Sequence, residues 1–427
     1  MAVFSMGTSA TDKLFLEFVM PGFHVQIKEH SKLYDRFKTD TTHVVGKYAV
    51  FKCLTASPKS ARPSSSSTLP TAKQGTYDEF IIYMKRGMYA QLQFDGLALA
   101  CSKGKGAVMD VLKAEMEGMS IQIARKLNRQ YWGDGSGRLA VMYAAVSNTT
   151  AGYVDSAQFG LDSAGYTDPA NYLDEGGEYD IYTSAGVLEA EGVTITAIGA
   201  QTAGYKAVTF GENITVSADS LIFDHDTYAA SQAAGTGVPM GLHGIVEASD
   251  PYTGNTETSF QNIDRDNYAW ARAQEVNMSS LAVTNSKMLE TIMAIEKFGK
   301  AKVGITNEKI WTAIFEQWEG TIGLKPEPAL WGGTTGLTFY GGKSGKLPII
   351  YDFDCPDNII MFLDDDYLQV YSPYEKGGMT WLPGDNGILT RVAGKDEWVA
   401  SLVHYYNFGS NKPQALGKLY GVKHAAA

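Results

Sequence analysis

Residues 44–139 constrain the fold of this chain more than any other stretch. A β-branched and aromatic run, Val44 to Leu54 (VVGKYAVFKCL), reads as a strand. Residues 55–76 then carry Pro58, Pro63, Pro70 and the run Ser64-Ser65-Ser66-Ser67, which cannot form a core. Tyr77 to Phe94 is strand-like again, and residues 107–130 form the clearest helix of the chain, closed by Tyr131-Trp132-Gly133-Asp134-Gly135-Ser136-Gly137-Arg138-Leu139. A loop of this length inside a hairpin is uncommon in a self-contained domain, where long structureless loops usually mean function or disorder. Its expected use is to reach another copy of the same molecule, so the chain reads as a building block.

The periodicities give each element its faces. In the returning strand Phe80, Ile82 and Met84 share one face, and Ile81, Tyr83 and Lys85 share the other. With Val44–Leu54 it is expected to form one long two-stranded arm with a flexible tip. An isolated hairpin is marginal in water, so this one calls for neighbours. In the helix, Val108, Leu112, Met116, Met119, Ile123 and Leu127 recur at three- and four-residue steps as one apolar stripe, roughly 35 Å long at 1.5 Å per residue. Gly118 weakens it by up to about 1 kcal/mol relative to Ala without breaking it. The Gly-Asp-Gly-Ser-Gly turn returns the chain into a strand over Arg138 to Val146.

Elsewhere the pattern is β-rich. Residues 1–40 show no clear period and read as an extended arm. Short alternating runs (179–182, 193–196, 207–210, 221–223) predict a small inserted barrel or sandwich over about 172–225. Two helices follow. One spans Asn285 to Phe298 with a Met288, Ile292, Ile295 stripe ended by Gly299; the other spans Asn307 to Glu319 and is stopped by Gly320. A short strand at 301–305 lies between them, and the remainder is strand and turn (347–353, 359–363, 368–371, 388–392, 398–408), with no solenoid repeat.

Charge and motifs exclude more than they assign. The 36 basic and 47 acidic residues give a net charge of −11 with no basic stripe, which argues against a surface that neutralises phosphates; nucleic acid would be met only as the contents of a container. Cys53, Cys101 and Cys355 are too few and too scattered for a disulfide framework or a zinc site, and are expected to be reduced and mostly buried. No secretory signal or span is visible: Asp12 and Lys13 interrupt the first apolar stretch and Pro21-Gly22 ends it, so a soluble protein made in a cytoplasm is expected. There is no Cys-x-x-Cys, His-Glu-x-x-His or nucleophile elbow, and Lys103-Gly104-Lys105-Gly106 lacks the frame of a phosphate loop. No catalytic residue, cofactor or metal ligand is assigned. Asp352, Asp354, Asp357 and Asp364–Asp366 match no Ca²⁺ loop and read as solvated turns; His225, between Asp224 and Asp226, reads as a surface hydrogen-bond site. The sequons at Asn148, Asn213 and Asn277 are expected to stay unglycosylated. The candidates for contact with a neighbouring copy are Lys59, Arg62 and Lys73 in the Ser/Pro loop, with Tyr77 and Phe80 on the strand that leaves it. For each of the three cations, a solvated loop charge is an equally good reading.

The order of these parts resembles the major capsid proteins of tailed bacteriophages, whose fold was first seen in coliphage Hong Kong 97. The local matches are YWGDGSGRLA (131–140), GVPMGLHGIV (237–246), LPIIYDFDCPDN (347–358) and DEWVASLVHYYNFGSNKPQALGKLYGV (396–422). The resemblance implies an α+β, Hong Kong 97-like capsid fold. Its parts would be an N-terminal arm (1–43), an extended β-hairpin loop lying across the adjacent subunit (44–99) and a peripheral domain with its spine helix at 107–130 (100–171). The small β insertion (172–225), more of the peripheral domain (226–282), an axial domain (283–395) and final strands that rejoin the peripheral sheet (396–427) would follow. It further implies a homo-oligomer of hexamers and pentamers enclosing double-stranded DNA without sequence-specific binding. Its partners would be a separate scaffolding protein and a portal, with decoration proteins left open, and no membrane; its place would be the virion capsid, assembled in the host bacterial cytoplasm. The Lys–Asn isopeptide cross-link of the type member cannot be matched here, so a non-covalent shell is expected. The alternatives are an encapsulin-like compartment around protein cargo and a β-rich tail protein or adhesin; a hydrolase is weakest, since no nucleophile–base pair can be located.

Overall fold

A computed structural model describes residues 33, 36–61, 63, 69, 71–95, 107–155, 170–202, 205–229, 237–248, 260–319, 337–341, 345–374, 379–383 and 389–423. They form an α+β molecule with two six-stranded sheets, a closed six-stranded barrel and a small hairpin sheet. Most of the arm expected at 1–43 lies outside the described residues, as do Arg62 and Cys101.

The long strand Glu397–Ser410 organises the first sheet. Lys85–Asp95 pairs along one edge, Met379–Trp381 and Leu389–Arg391 pair along the other, and Leu368–Tyr371 pairs with its last residues. Lys38–Asp40, at the end of the expected arm, adds a parallel strand beside Leu368–Tyr371. The helix Ala107–Trp132 packs near this sheet, with Met119, Ile123 and Leu127 of the expected stripe buried. The side chains of Val108, Leu112 and Met116 lie outside the described set.

The second sheet has the order Gln274–Ala282, Gly417–Lys423, Ile359–Leu363, Val303–Thr306, Gly345–Tyr351, Leu337–Gly341. Its inner strand Ile-Ile-Met-Phe-Leu is buried at every position, as expected of an uninterrupted apolar run covered on both faces. Helices Asn285–Ile295 and Glu308–Glu319 seat Met288, Ile292, Ile295, Ile310 and Ile314 against it. Thr284 accepts a hydrogen bond from the Lys287 amide and so caps the first of these helices.

Four expectations change. The arm is not one continuous hairpin: Thr76–Tyr83 pairs with Tyr48–Ala56, but the chain leaves the ladder at Met84, and Lys85–Asp95 pairs with Glu397–Ser410 instead. Lys85, on the face opposite Met84 by period, is buried. The barrel begins upstream of residue 172, because Arg138–Met142 and Val146–Asp155 close it together with Glu178–Tyr182, Leu188–Thr202, Tyr205–Val216 and Leu221–Asp224. The final strands do not both rejoin one sheet, since Glu397–Ser410 lies in the first and Gly417–Lys423 in the second. Finally, Asp352, Asp357 and Asp364 are buried rather than solvated, each held by a specific donor or cation: Asn128, Lys309 and Lys302 in turn.

Candidate assembly surface and the joint behind it

The hairpin is built so that its two faces meet different fates. Register places Ala49 opposite Ile82, Phe51 opposite Phe80 and Cys53 opposite Asp78 on the inner face. Ala49, Ile82 and Met84 are buried against Tyr371 of the first sheet. Phe80 is 1% exposed, with its ring 5.4 Å from Trp270 and 6.4 Å from Phe260. As a candidate for contact with a neighbour Phe80 therefore fails, because its apolar surface is already used inside the subunit.

The outer face pairs Tyr48 with Tyr83, Val50 with Ile81, Lys52 with Glu79 and Leu54 with Tyr77. Here Tyr48 is 45% exposed, Leu54 53% and Tyr77 69%; Val45 and Leu69 are exposed as well. The Lys52–Glu79 ion pair at 3.4 Å is open to water and adds little stability. Lys59 and Lys73 are exposed, in the chain beyond the ends of the paired strands. Leu54 was missed by sequence reasoning, because the register that sets it directly opposite Tyr77 spans a long loop that fixes no pairing. Leu54 and Tyr77 make an exposed apolar pair at the far end, separated from Tyr48 by the charged Lys52–Glu79 pair, and are candidates for an interaction surface.

The base of the hairpin is tied into a joint at the end of the long helix. The Ile81 amide donates to the Gln261 carbonyl (3.0 Å), and Asn407 Nδ2 donates to the Tyr83 carbonyl (2.7 Å) while its Oδ1 accepts from the Met240 amide (2.8 Å). Arg265, fully buried, lies over the Phe260 ring at 3.5 Å and donates to the carbonyls of Gly244 and Ile245.

The four segments that carry the family resemblance meet at this joint. Gly135 and Gly137 take φ of +85° and +79°, which side chains other than glycine rarely adopt, and they pass against Met240 and Val238. A Cβ on Gly241 would meet the carbonyl oxygen of Gly133 and lie 2.5 Å from that of Gln130. Asn128 donates to Asp352 Oδ1 at 3.0 Å and also to Asp354, and Tyr406 Oη donates to Gln130 Oε1 at 2.7 Å. Arg129, its side chain 7% exposed, donates to Asp174 (2.9 Å) and to the carbonyls of Tyr172 and Asn171, which joins the helix to the barrel. Burial acts to raise the Asp174 pKa, but hydrogen bonds from Arg129 and the charges of Arg129, Arg125 and Lys126 outweigh it and hold it below the usual carboxylate range. Asp354 goes the other way, raised by burial.

A second buried ionic group ties the joint to the second sheet. Lys418 Nζ lies 2.6 Å from Glu247 and 3.1 Å from Glu275, with the His243 ring 3.8 Å from Glu247. Burial, and then the hydrogen bond with Glu275, pushes Glu247 from 4.5 to about 7; burial, with Lys418 and Arg138 nearby, pushes His243 well down. These groups hold elements together, and no nucleophile–base pair stands among them.

No family model matches the chain, and no curated protein matches it. Solved structures similar to it include the capsid asymmetric unit of Cyanophage A-1(L), at 13% identity and TM-score 0.47, covering 92% of this chain and 91% of that one. The capsid of the native GTA particle is similar at 9% identity and TM-score 0.43, over 92% and 90%. The holo-SrpI encapsulin complex from Synechococcus elongatus PCC 7942 is similar over 36% of this chain and 54% of that one, at 15% identity and TM-score 0.29. All three TM-scores lie below 0.5, and no role passes from these proteins to this chain.

Proposed function

We propose that this chain is a major capsid protein of the Hong Kong 97 type, which closes as hexamers and pentamers into a phage shell around double-stranded DNA. The observation that carries this reading is the divided hairpin. Its inner face is locked to the body by Phe80, Ile82 and Ala49, while its outer face presents Leu54, Tyr77 and Tyr48 to solvent. A surface tied to the body at one end and apolar at the other suits a neighbour's flank, and the exposed Lys59 and Lys73 carry charge that would meet acidic groups there. Modest interfaces of this kind gain durability when symmetry multiplies them. The net charge of −11 suits a container whose wall does not hold its nucleic acid tightly. A separate scaffolding protein, a portal and assembly in a bacterial cytoplasm belong to the same proposal.

The test is expression alone and together with a scaffolding protein from the same genome, read by velocity sedimentation and electron microscopy. Megadalton hollow particles are expected, and DNA rather than protein inside particles from infected cells separates a capsid from an encapsulin-like compartment. A monomer or trimer under both conditions would overturn the proposal in favour of a tail protein or adhesin. Deleting residues 56–75 is expected to leave the monomer folded and to block closed shells; normal particles from that deletion would remove the role given to the hairpin.

A further inference from the structure

The rim of the barrel sets a histidine between two carboxylates. Asp180 sits on strand Glu178–Tyr182 with its side chain 3% exposed, and His225 and Asp226 follow strand Leu221–Asp224. His225 Nδ1 lies 2.8 Å from Asp180 Oδ1, and its Nε2 lies 3.7 Å from Asp226 Oδ2. Asp180 is itself fixed, since the Gly192 amide donates to its Oδ1 (2.8 Å) and the Asp226 amide to its Oδ2 (2.9 Å). One ligand atom from each of the three residues lies within 4.8 Å of the others, and no second such group occurs among the described residues.

We propose that His225 and Asp226, with Asp180 orienting the imidazole, form a binding site for a divalent transition-metal cation, Zn²⁺ foremost. The carboxylate of Asp180 draws the ring proton to Nδ1 and leaves the Nε2 lone pair facing Asp226. This carboxylate–imidazole–metal order is the one that fixes a histidine ligand and raises its basicity. Nitrogen and oxygen ligands of tetrahedral Zn²⁺ stand about 3.3 Å apart, given bond lengths of about 2.0–2.1 Å. The 3.7 Å gap therefore closes with a small movement of Asp226, whose side chain is 87% exposed. Glu178 adds negative charge around the ring, whereas Asp224 beside it is already matched by Lys126 at 2.9 Å. The remaining coordination positions face solvent, open to water or to a donor from a neighbouring copy. The choice of a borderline cation over Mg²⁺ or Ca²⁺ follows from the imidazole, because those two harder ions favour oxygen alone.

The experiment is calorimetric titration of zinc chloride into the unassembled full chain, with Mg²⁺ as the comparison ion. Wild type is expected to show one saturable Zn²⁺ site, and His225→Ala and His225→Gln to weaken it at least about tenfold. Asp226→Ala is expected to weaken it similarly. His43, which meets Asp40 at 2.6 Å but belongs to no three-residue group, is the control, and His43→Ala is expected to bind like wild type. Co²⁺ loading adds a signature apart from heat: a visible absorption band present in wild type and absent from His225→Ala. Since the His225 side chain is 34% exposed, its loss leaves the barrel interior intact, which equal unfolding midpoints of the variants would verify. No saturable binding in wild type, undiminished binding in His225→Ala, or equal weakening by His43→Ala would each overturn the proposal.

Discussion

The joint at the end of the long helix and the outer half of the hairpin spend their side chains in opposite ways. At the joint Arg129, Asn128, Tyr406 and Asn407 each find partners within the chain, and glycines let backbone segments touch. On the hairpin, Leu54 and Tyr77 face each other across the ladder and no element of the same subunit covers either one among the described residues. The first region fixes the shape of the subunit and the second is left for whatever lies beside it. The contrast also explains why the segments resembling a capsid family carry no reactive motif: they are the parts that hold the body together.

This contrast predicts a graded series of effects on the isolated subunit. Arg129→Ala removes the nearly buried cation that holds Asp174 and the Tyr172 and Asn171 carbonyls, while Arg125 at 3.0 Å still pairs with Asp174, and is expected to cost about 2–3 kcal/mol in denaturant unfolding; a loss under about 0.5 kcal/mol would mean that the helix–barrel joint is not rigid. Gly241→Ala forces a methyl group onto the Gly133 and Gln130 carbonyls and is expected to cost about 1–3 kcal/mol, with the unfolding slope unchanged. Glu247 sharpens the comparison through pH. Its folded pKa of about 7 stands above its ordinary 4.5, so between those values the folded state holds more protons than the unfolded one, and stability falls as pH rises through the window. Glu275, held below 4.5 by Glu247 and Lys418 against the opposing effect of burial, acts only at more acid pH, where stability is lost as pH falls. Thermal unfolding of Glu247→Gln is therefore expected to lack the decline seen in wild type between about pH 5 and about pH 7. The smallest effect belongs to the hairpin. Leu54→Ser with Tyr77→Ser should change subunit stability by less than about 0.5 kcal/mol, yet prevent closed shells by electron microscopy. A large stability loss there would break the contrast.

The sequence displayed the elements whose partners are their own neighbours. The stripe ending in Met119, Ile123 and Leu127 revealed the long helix, and the run at 359–363 revealed a strand. It hid whatever depends on a distant partner. A period of two residues assigns Phe80 and Ile81 to opposite faces without saying which face turns inward. The same period runs through Met84 although the strand changes partner there. Asp352 looked solvated because the donor that justifies its burial, Asn128, lies 224 positions away. Barrel closure was equally invisible at 138–155, where local alternation is alike in open and closed sheets. Of the contact candidates, Tyr77, Lys59 and Lys73 lie exposed as expected, while Phe80 does not, and Arg62 is outside the described residues.

The division of the last strands between the two sheets has a consequence for the order of events during synthesis. Glu397–Ser410 is the strand around which the first sheet is arranged, and Gly417–Lys423 lies between Gln274–Ala282 and Ile359–Leu363 in the second. A nascent chain therefore has neither sheet complete until residues near 423 have left the ribosome. A fragment released before residue 397 lacks an interior strand in both sheets. Folding then tests for the presence of these two strands: a chain that lacks them cannot complete either sheet.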